Sequence, residues 1–296
     1  MICFAFRAQN SYTYSSPKLD FRKEERMREM FYLKYVALEI TQSEPLDDWI
    51  EVLKPEGICV EYAPQNEDAL WITDEESRAR QLQREGKPVL GLLHEGGQEQ
   101  RFDGIKYLAT DLSEIDAEYL DKVYRRQKGI PWDILETARC TLRETIPQDA
   151  DAFYALYEEP SITEHMEGLP PERDAFLAWL SDYAKHVYEL FGYGLWTVCD
   201  KASGEIIGRA GLTVREGFDA PELAFMIAKP WQGRGLAIEV CSSILQYAKK
   251  LEIPEVIAFS ETSNEASIGL LSKLGFHLEQ ELFLDGRLCQ QYKVLL

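Results

Sequence analysis

The stretch that decides the fold runs from Pro230 to Ala237 and reads PWQGRGLA. It follows an apolar run, Leu223 to Ala228. It precedes Ile238, Cys241, Leu245 and Ala248, spaced for one face of a helix. Glycine adopts left-handed backbone without strain and lets the main chain approach a ligand with no Cβ in the way. A helix that begins at such a turn aims unpaired N–H groups at whatever stands before it, and its dipole favours an anion there. An ordinary loop pair and an anion cradle are both open readings of Gly233 and Gly235. The surroundings decide between them.

From Arg139 onward the order reads strand, helix, helix, three strands, helix, strand, helix and two strands. Cys140 and Leu142 alternate against Thr141 and Arg143 in the first strand. One helix starts at Asp149, with Phe153, Leu156 and Tyr157 on a stripe. A second starts at Pro171, with Phe176, Leu177, Leu180, Ala184 and Val187. Ala202-Ser203-Gly204 turns a hairpin, and Glu222 to Ala228 is the strand before the glycines. Val256 to Ser260 is another buried strand, Asn264 opens a helix, and Asp285-Gly286 turns a terminal hairpin. This is a mixed α/β sheet, not a strict alternation of strand and helix.

That order, with a glycine-rich turn after its fourth strand, resembles the GNAT superfamily of acyl-CoA-dependent N-acetyltransferases. The type that acetylates ribosomal-protein N-termini is the most similar. The family's Q/R-x-x-G-x-G/A signature stands as Gln232-Gly233-Arg234-Gly235-Leu236-Ala237. Its N-x-x-S and K-x-G-F elements stand as Asn264 and Ser267, then Lys273-Leu274-Gly275-Phe276. The resemblance covers roughly half the chain, residues 139–296. It implies a splayed mixed sheet flanked by helices, acetyl-CoA as co-substrate and no metal. The implied reaction is transfer of acetyl to a primary amine, either a small molecule or a protein N-terminus.

The resemblance also implies roles for single residues. Gln232, Gly233, Arg234, Gly235, Leu236 and Ala237 would hold the pyrophosphate. The backbone of Phe225, Met226 and Ile227 would pair with the pantetheine arm as a peptide adds to a sheet edge. Asn264 and Ser267 would contact that arm, although a plain helix N-cap also accounts for Asn264. Glu222 matches an acidic position used as general base; an exposed strand-end carboxylate is the alternative. Many members protonate the departing thiolate with a tyrosine two residues before the lysine of K-x-G-F. Here that position is Leu271, which leaves water, Ser267 or Tyr193. The loop EEPSITEHMEGLPPER, residues 158–173, supplies Glu164, His165 and Glu167 to an acceptor pocket, with Tyr193 nearby.

Upstream, RRQKGIPWDILETARC marks a seam. A helical pattern through Leu120, Val123 and Tyr124 stops at Gly129, and Pro131 blocks its continuation. The boundary is expected near residue 138. Residues 1–26 show no period and read as an extension, taken to residue 30, ahead of a functional start at Met27 or Met30. Helices are expected over about 28–40 and 46–53. ALWIT, PVLGLL and IKYLA then read as strands, and DEESRARQLQREG and LSEIDAEYLDKVYRR as helices. Residues 31–138 are therefore expected to form a small three-layer, Rossmann-like α/β domain. Its later part resembles the last part of a haloacid-dehalogenase-like phosphatase core, whose chemistry needs an upstream D-x-D-x-T/V nucleophile loop. The one D-x-D here is Asp149-Ala150-Asp151, in the other half, followed by Ala152 and Phe153. Asp74 alone cannot replace it, so the domain reads as degenerate. Substrate recognition, a subunit contact in a homodimer and simple support are the roles left to it.

With 51 acidic against 32 basic residues, the net charge is −19, and both halves are acidic. Such a field repels nucleic acid and favours cationic visitors such as amines, although ordinary solubility charge also accounts for it. The six cysteines are scattered without C-x-x-C, against a zinc site or a disulfide framework. No apolar run approaches the roughly 18 residues that a membrane helix needs, and MICFAFRAQNSYTY is too short and polar for a secretory signal. A cytoplasmic enzyme with neither membrane nor nucleic-acid partner is expected. An acetyl-CoA sensor with little turnover is the alternative, and a magnesium-dependent phosphatase a distant third.

Overall fold

Backbone hydrogen bonding in a computed structural model gathers the strands into two sheets. The described residues are 31–41, 46–62, 66–94, 100–166, 168–183, 187–188, 192–284 and 286–296. The expected extension over 1–30 lies outside them, as do Glu167, Ala184 and Asp285. The chain divides into two compact units after Ile130.

The N-terminal unit runs β1 (Tyr35–Glu39), α1 (Asp47–Leu53), β2 (Cys59–Glu61), β3 (Leu70–Thr73), α2 (Glu76–Arg84), β4 (Val89–Leu92), β5 (Leu108–Ala109) and α3 (Ala117–Lys128). Its sheet has the order β2-β1-β3-β4-β5 with every pairing parallel. Val36, Leu38, Leu70, Ile72, Leu90 and Leu92 face a core with α1 and α3. The alternate residues Ala37, Trp71 and Val89 face a second core with α2. A strand buried on both faces reads as an unbroken apolar run. That corrects the helix expected over 28–40, because YVALE is β1, and a short apolar run has no period to separate strand from helix. At the other end, Gly129 closes α3 with φ 69°, and Ile130 N–H donates to Arg125 O (2.8 Å) before Pro131.

The C-terminal unit runs β6 (Asp133–Glu136), β7 (Cys140–Arg143), α4 (Ala150–Tyr157), α5 (Pro160–Thr163), α6 (Arg173–Tyr183), β8 (Leu195–Asp200), β9 (Ile206–Thr213), β10 (Glu222–Ile227), α7 (Leu236–Lys250), β11 (Glu255–Glu261), α8 (Glu265–Lys273), β12 (His277–Leu284) and β13 (Arg287–Leu295). The sheet order is β12-β13-β11-β10-β9-β8-β7-β6. Every pairing is antiparallel except that of β10 with β11. The division falls after Ile130 and not near 138 because β6 pairs with β7 as a hairpin, Leu135 opposite Leu142. Residues 131–138 therefore belong to this unit.

The two faces of this sheet differ. Leu142, Trp196, Val198, Ala210, Leu212, Leu223, Val256 and Ala258 form one core with Val240, Ile244 and Ala248 of α7. Each of the Leu, Val and Ile side chains among them contributes about 1.5–3 kcal/mol by leaving water. The register puts Arg143, Thr197, Arg209 and Glu222 on the opposite face. There Arg143 makes a two-pronged pair with Asp149 (2.7 Å on each oxygen). The Arg209 guanidinium lies 5.5 Å from the Phe153 ring of α4 and 5.0 Å from the Trp179 ring of α6.

Candidate functional site

β10 is hydrogen-bonded to β9 along its whole length, from Glu222 opposite Thr213 to Ile227 opposite Gly208. Toward β11 it makes a single bridge, Glu222 to Ile257, where Ile257 N–H donates to Pro221 O (3.0 Å). Beyond that bridge the parallel strands part. Ala228 N–H donates to Ile207 O (2.7 Å), which fixes the alternation of this ladder. It turns the peptide groups of Met226 to Arg209 of β9 and those of Phe225 and Ile227 toward the parting. Met226 thus turns its main-chain groups away from the open edge expected of it, and those of its two neighbours face that edge. Gln232 takes part of that edge itself, since its Nε2 donates to Ile227 O (2.8 Å).

At the end of the parting, Lys229–Trp231 form a single helical turn, and Gly233 and Gly235 follow with φ 71° and 76°. Such angles suit glycine and strain other residues. Among the described residues, no atom beyond the glycine and its chain neighbours lies within 4 Å of a Cβ built on Gly233; on Gly235 the nearest is Arg139 Nη2, at 3.7 Å. Conformation, not crowding by the protein, thus calls for glycine here. Gly235 is the N-cap of α7 and carries no capping side chain, so the helix opens on bare N–H groups. Leu236 is buried in the core and Ala237 packs against it. Arg234 lies over the Trp231 ring at 5.0 Å.

Glu222 is not an exposed strand end. It is 7% exposed, and Arg215 holds its carboxylate through Nε (2.6 Å) and Nη2 (3.4 Å). The Arg215 guanidinium in turn sits 5.2 Å from the Phe259 ring of β11. Asn264 is the N-cap of α8: its Oδ1 accepts from Ser267 N–H (3.1 Å), leaving the amide nitrogen for other contacts. Leu271 is 0% exposed within the core, so nothing at that position can give a proton. Tyr193 is half-buried against the same core, and burial followed by the neighbouring Tyr183 raises its phenol, making it a weaker acid.

The loop that carries Glu164 and His165 is tied to the end of β11. His165 Nδ1 lies 3.2 Å from Glu261 Oε2, and Arg287 Nη1 donates to Glu261 Oε1 (2.6 Å) and to Glu164 O (3.1 Å). Glu164 and His165 are thereby brought to the strand that leads into Asn264. Arg215, Glu261 and Arg287 were not legible as site residues, because their partners come from other elements and no spacing marks them.

In the N-terminal unit, β1 and β3 flank the point where strand order reverses, the usual place for ligands in a doubly wound sheet. A cleft of about 330 Å³ lined by Glu39, Thr41, Thr73, Glu75 and Arg78 lies there. The neighbouring Asp74 carboxylate accepts from Thr41 N–H (2.8 Å) and from its hydroxyl (2.8 Å), and lies 2.9 Å from His94 Nε2. It is engaged in joining the ends of β1 and β4. Among the described residues, no three or more His, Cys, Asp or Glu side chains are grouped to hold a metal ion, and no helix is long and apolar enough to cross a membrane.

The profile of the family described as acetyltransferase (GNAT) domain matches residues 139–277. Among curated proteins, the chain is similar to the ribosomal protein uS5-alanine N-acetyltransferase of Escherichia coli. The two are 27% identical over 54% of this chain and 89% of that one. It is similar at 27% identity to the L-methionine sulfoximine/L-methionine sulfone acetyltransferase of Pseudomonas aeruginosa, over 48% of this chain and 83% of that one. Among solved structures, an acetyltransferase from Agrobacterium tumefaciens is 23% identical with a TM-score of 0.47, over 55% of this chain and 95% of that one. The matched range includes Glu222, both glycines, Asn264 and Ser267.

Proposed function

Residues 139–277 belong to the GNAT acetyltransferase family, and from that premise we propose that the protein transfers the acetyl group of acetyl-CoA to a primary amine. The observation that carries this is the parting of β10 from β11 after one bridge, with two left-handed glycines and a bare helix start at its end. The backbone groups of Phe225 and the N–H of Ile227, whose carbonyl is taken by Gln232, suit the amides of the pantetheine arm. Residues 233–237 suit the pyrophosphate, held by main-chain N–H groups and the start of α7. The Asn264 amide nitrogen and the Ser267 hydroxyl would contact the same arm.

In the transfer, the amine nitrogen bonds to the thioester carbonyl carbon, the carbon–sulfur bond breaks, and the amine gives up a proton. Glu222 takes that proton directly or through one water. Arg215 fixes the direction of its carboxylate, whose oxygens each keep a further lone pair. Water protonates the departing thiolate, because Leu271 stands where a tyrosine would. Glu164 and His165 border the acceptor, and the −19 charge favours a cationic one. Both a protein N-terminus and a small amine meet these requirements, as the two curated relatives illustrate by their names.

Incubation of the protein with acetyl-CoA and a panel of amines and peptides tests the reading. Release of free CoA with an acetylated product supports it. Binding of acetyl-CoA without product from any acceptor favours a sensor, the second reading, which the buried Leu271 motivates.

A further inference from the structure

We infer that Arg139 is a positioning residue for acetyl-CoA, bracing the glycine turn and neutralising Glu239 beside it. The inference rests on the reading of residues 233–237 as the pyrophosphate cradle. Arg139 ends the turn between β6 and β7, and its backbone is fixed before its side chain acts. Its N–H and that of Cys140 donate to Thr137 Oγ1 (3.3 and 2.8 Å), and its carbonyl accepts from Lys201 N–H (2.9 Å). From there the guanidinium reaches the start of α7. Nη1 donates to Arg234 O (2.9 Å), 95 positions along the chain. Nε and Nη2 meet Glu239 Oε2 at 2.7 and 2.6 Å, and the backbone N–H donates to Glu239 Oε1 (2.8 Å).

These contacts have two consequences for an anion at the turn. The carbonyl of Arg234 shares a planar trans peptide with the N–H of Gly235, so the two point in opposite directions. Holding that oxygen on Arg139 therefore fixes the direction of a donor in the cradle. The second consequence concerns charge. Glu239 lies in the first turn of α7, where a lone carboxylate would repel an incoming phosphate. Burial disfavours its ionisation, yet bonds from Thr137 and from the backbone and side chain of Arg139 outweigh this and keep it below the ordinary carboxylate range. It is thus charged at neutral pH, and Arg139 is what offsets it.

The test uses full-length protein, calorimetry with acetyl-CoA, and turnover with acetyl-CoA and with acetyl-pantetheine, a thioester arm lacking the pyrophosphate. Arg139 is 47% exposed at its side chain, so its truncation leaves no cavity. Arg139→Ala is expected to weaken acetyl-CoA binding roughly tenfold to a hundredfold, the scale for charged hydrogen bonds. Turnover at saturating acetyl-CoA, and KM for acetyl-pantetheine, should stay at wild-type values. Arg139→Lys should recover part of the affinity, since an ammonium can reach one partner but not span both. Adding Glu239→Gln to Arg139→Ala should also recover part, by removing the repelling charge. Wild-type affinity in Arg139→Ala, or an equal loss with both thioesters, overturns the inference. If the wild-type protein itself binds no acetyl-CoA, the cradle reading fails and the inference with it.

Discussion

At the scale of single residues, the proposed chemistry turns on the pair formed by Glu222 and Arg215. A glutamine at 222 has nearly the same shape and still accepts from Arg215 through its one oxygen, but it cannot take a proton. Glu222→Gln is therefore expected to lower kcat on the order of 10²-fold while leaving acetyl-CoA affinity, read by calorimetry, unchanged. A near-wild-type rate across the pH range would move the base to another group. The glycines and Asn264 were legible in the sequence because each answers a backbone need at a fixed offset. Arg215 was not, since its partner lies across the β9–β10 connection and any arginine there looks like a solvated side chain. The N-cap role of Asn264 was legible as an alternative, and the structure assigns its Oδ1 to it.

Between elements, the tether from the 164–165 loop to β11 and β13 is proposed to govern how the acceptor is met. Arg287→Ala removes the cation that holds both Glu261 and the carbonyl of Glu164. It should raise KM for the acceptor several-fold while acetyl-CoA affinity stays unchanged. Glu261 is held below its ordinary value of 4.5, chiefly by Arg287 and then by His165. A lowered folded value means that the tether is fully present above 4.5 and is lost only as pH falls through the lower value. Acceptor KM in the wild-type protein should accordingly stay flat down to that range, with Arg287→Ala departing from flatness at higher pH. Coincident profiles for the two proteins would remove the tether from acceptor binding. Element order in the C-terminal unit was legible because half-buried strands alternate and helices carry stripes. β1, β2 and β6 were not. β1 is apolar on both faces, β2 is three residues long, and β6 lies beyond a Gly-Ile-Pro stop that reads as a linker.

On the scale of the whole molecule, each unit has its own core, and every residue proposed for acetyl-CoA lies after Ile130. Residues 131–296, with β6 and the turn that carries Arg139 retained, should fold and bind acetyl-CoA with the affinity of the full chain. Amine turnover, measured separately, then reports what the N-terminal unit adds to acceptor use. A soluble, folded fragment that cannot bind acetyl-CoA would show that the first unit contributes to that site. The sequence pattern implied a layered α/β unit there, but the engagement of Asp74 with Thr41 and His94 depends on strands brought together by the sheet, which no local pattern records.

The most direct test of the cradle is calorimetric titration of acetyl-CoA into Gly235→Glu beside the wild-type protein, with circular dichroism establishing that both are folded. The substitution sets a side chain and a negative charge at the start of α7, where phosphate is proposed to sit, on a residue with φ 76°. Loss of measurable binding in the folded variant is expected. Unchanged affinity would contradict the placement of acetyl-CoA between β10 and β11.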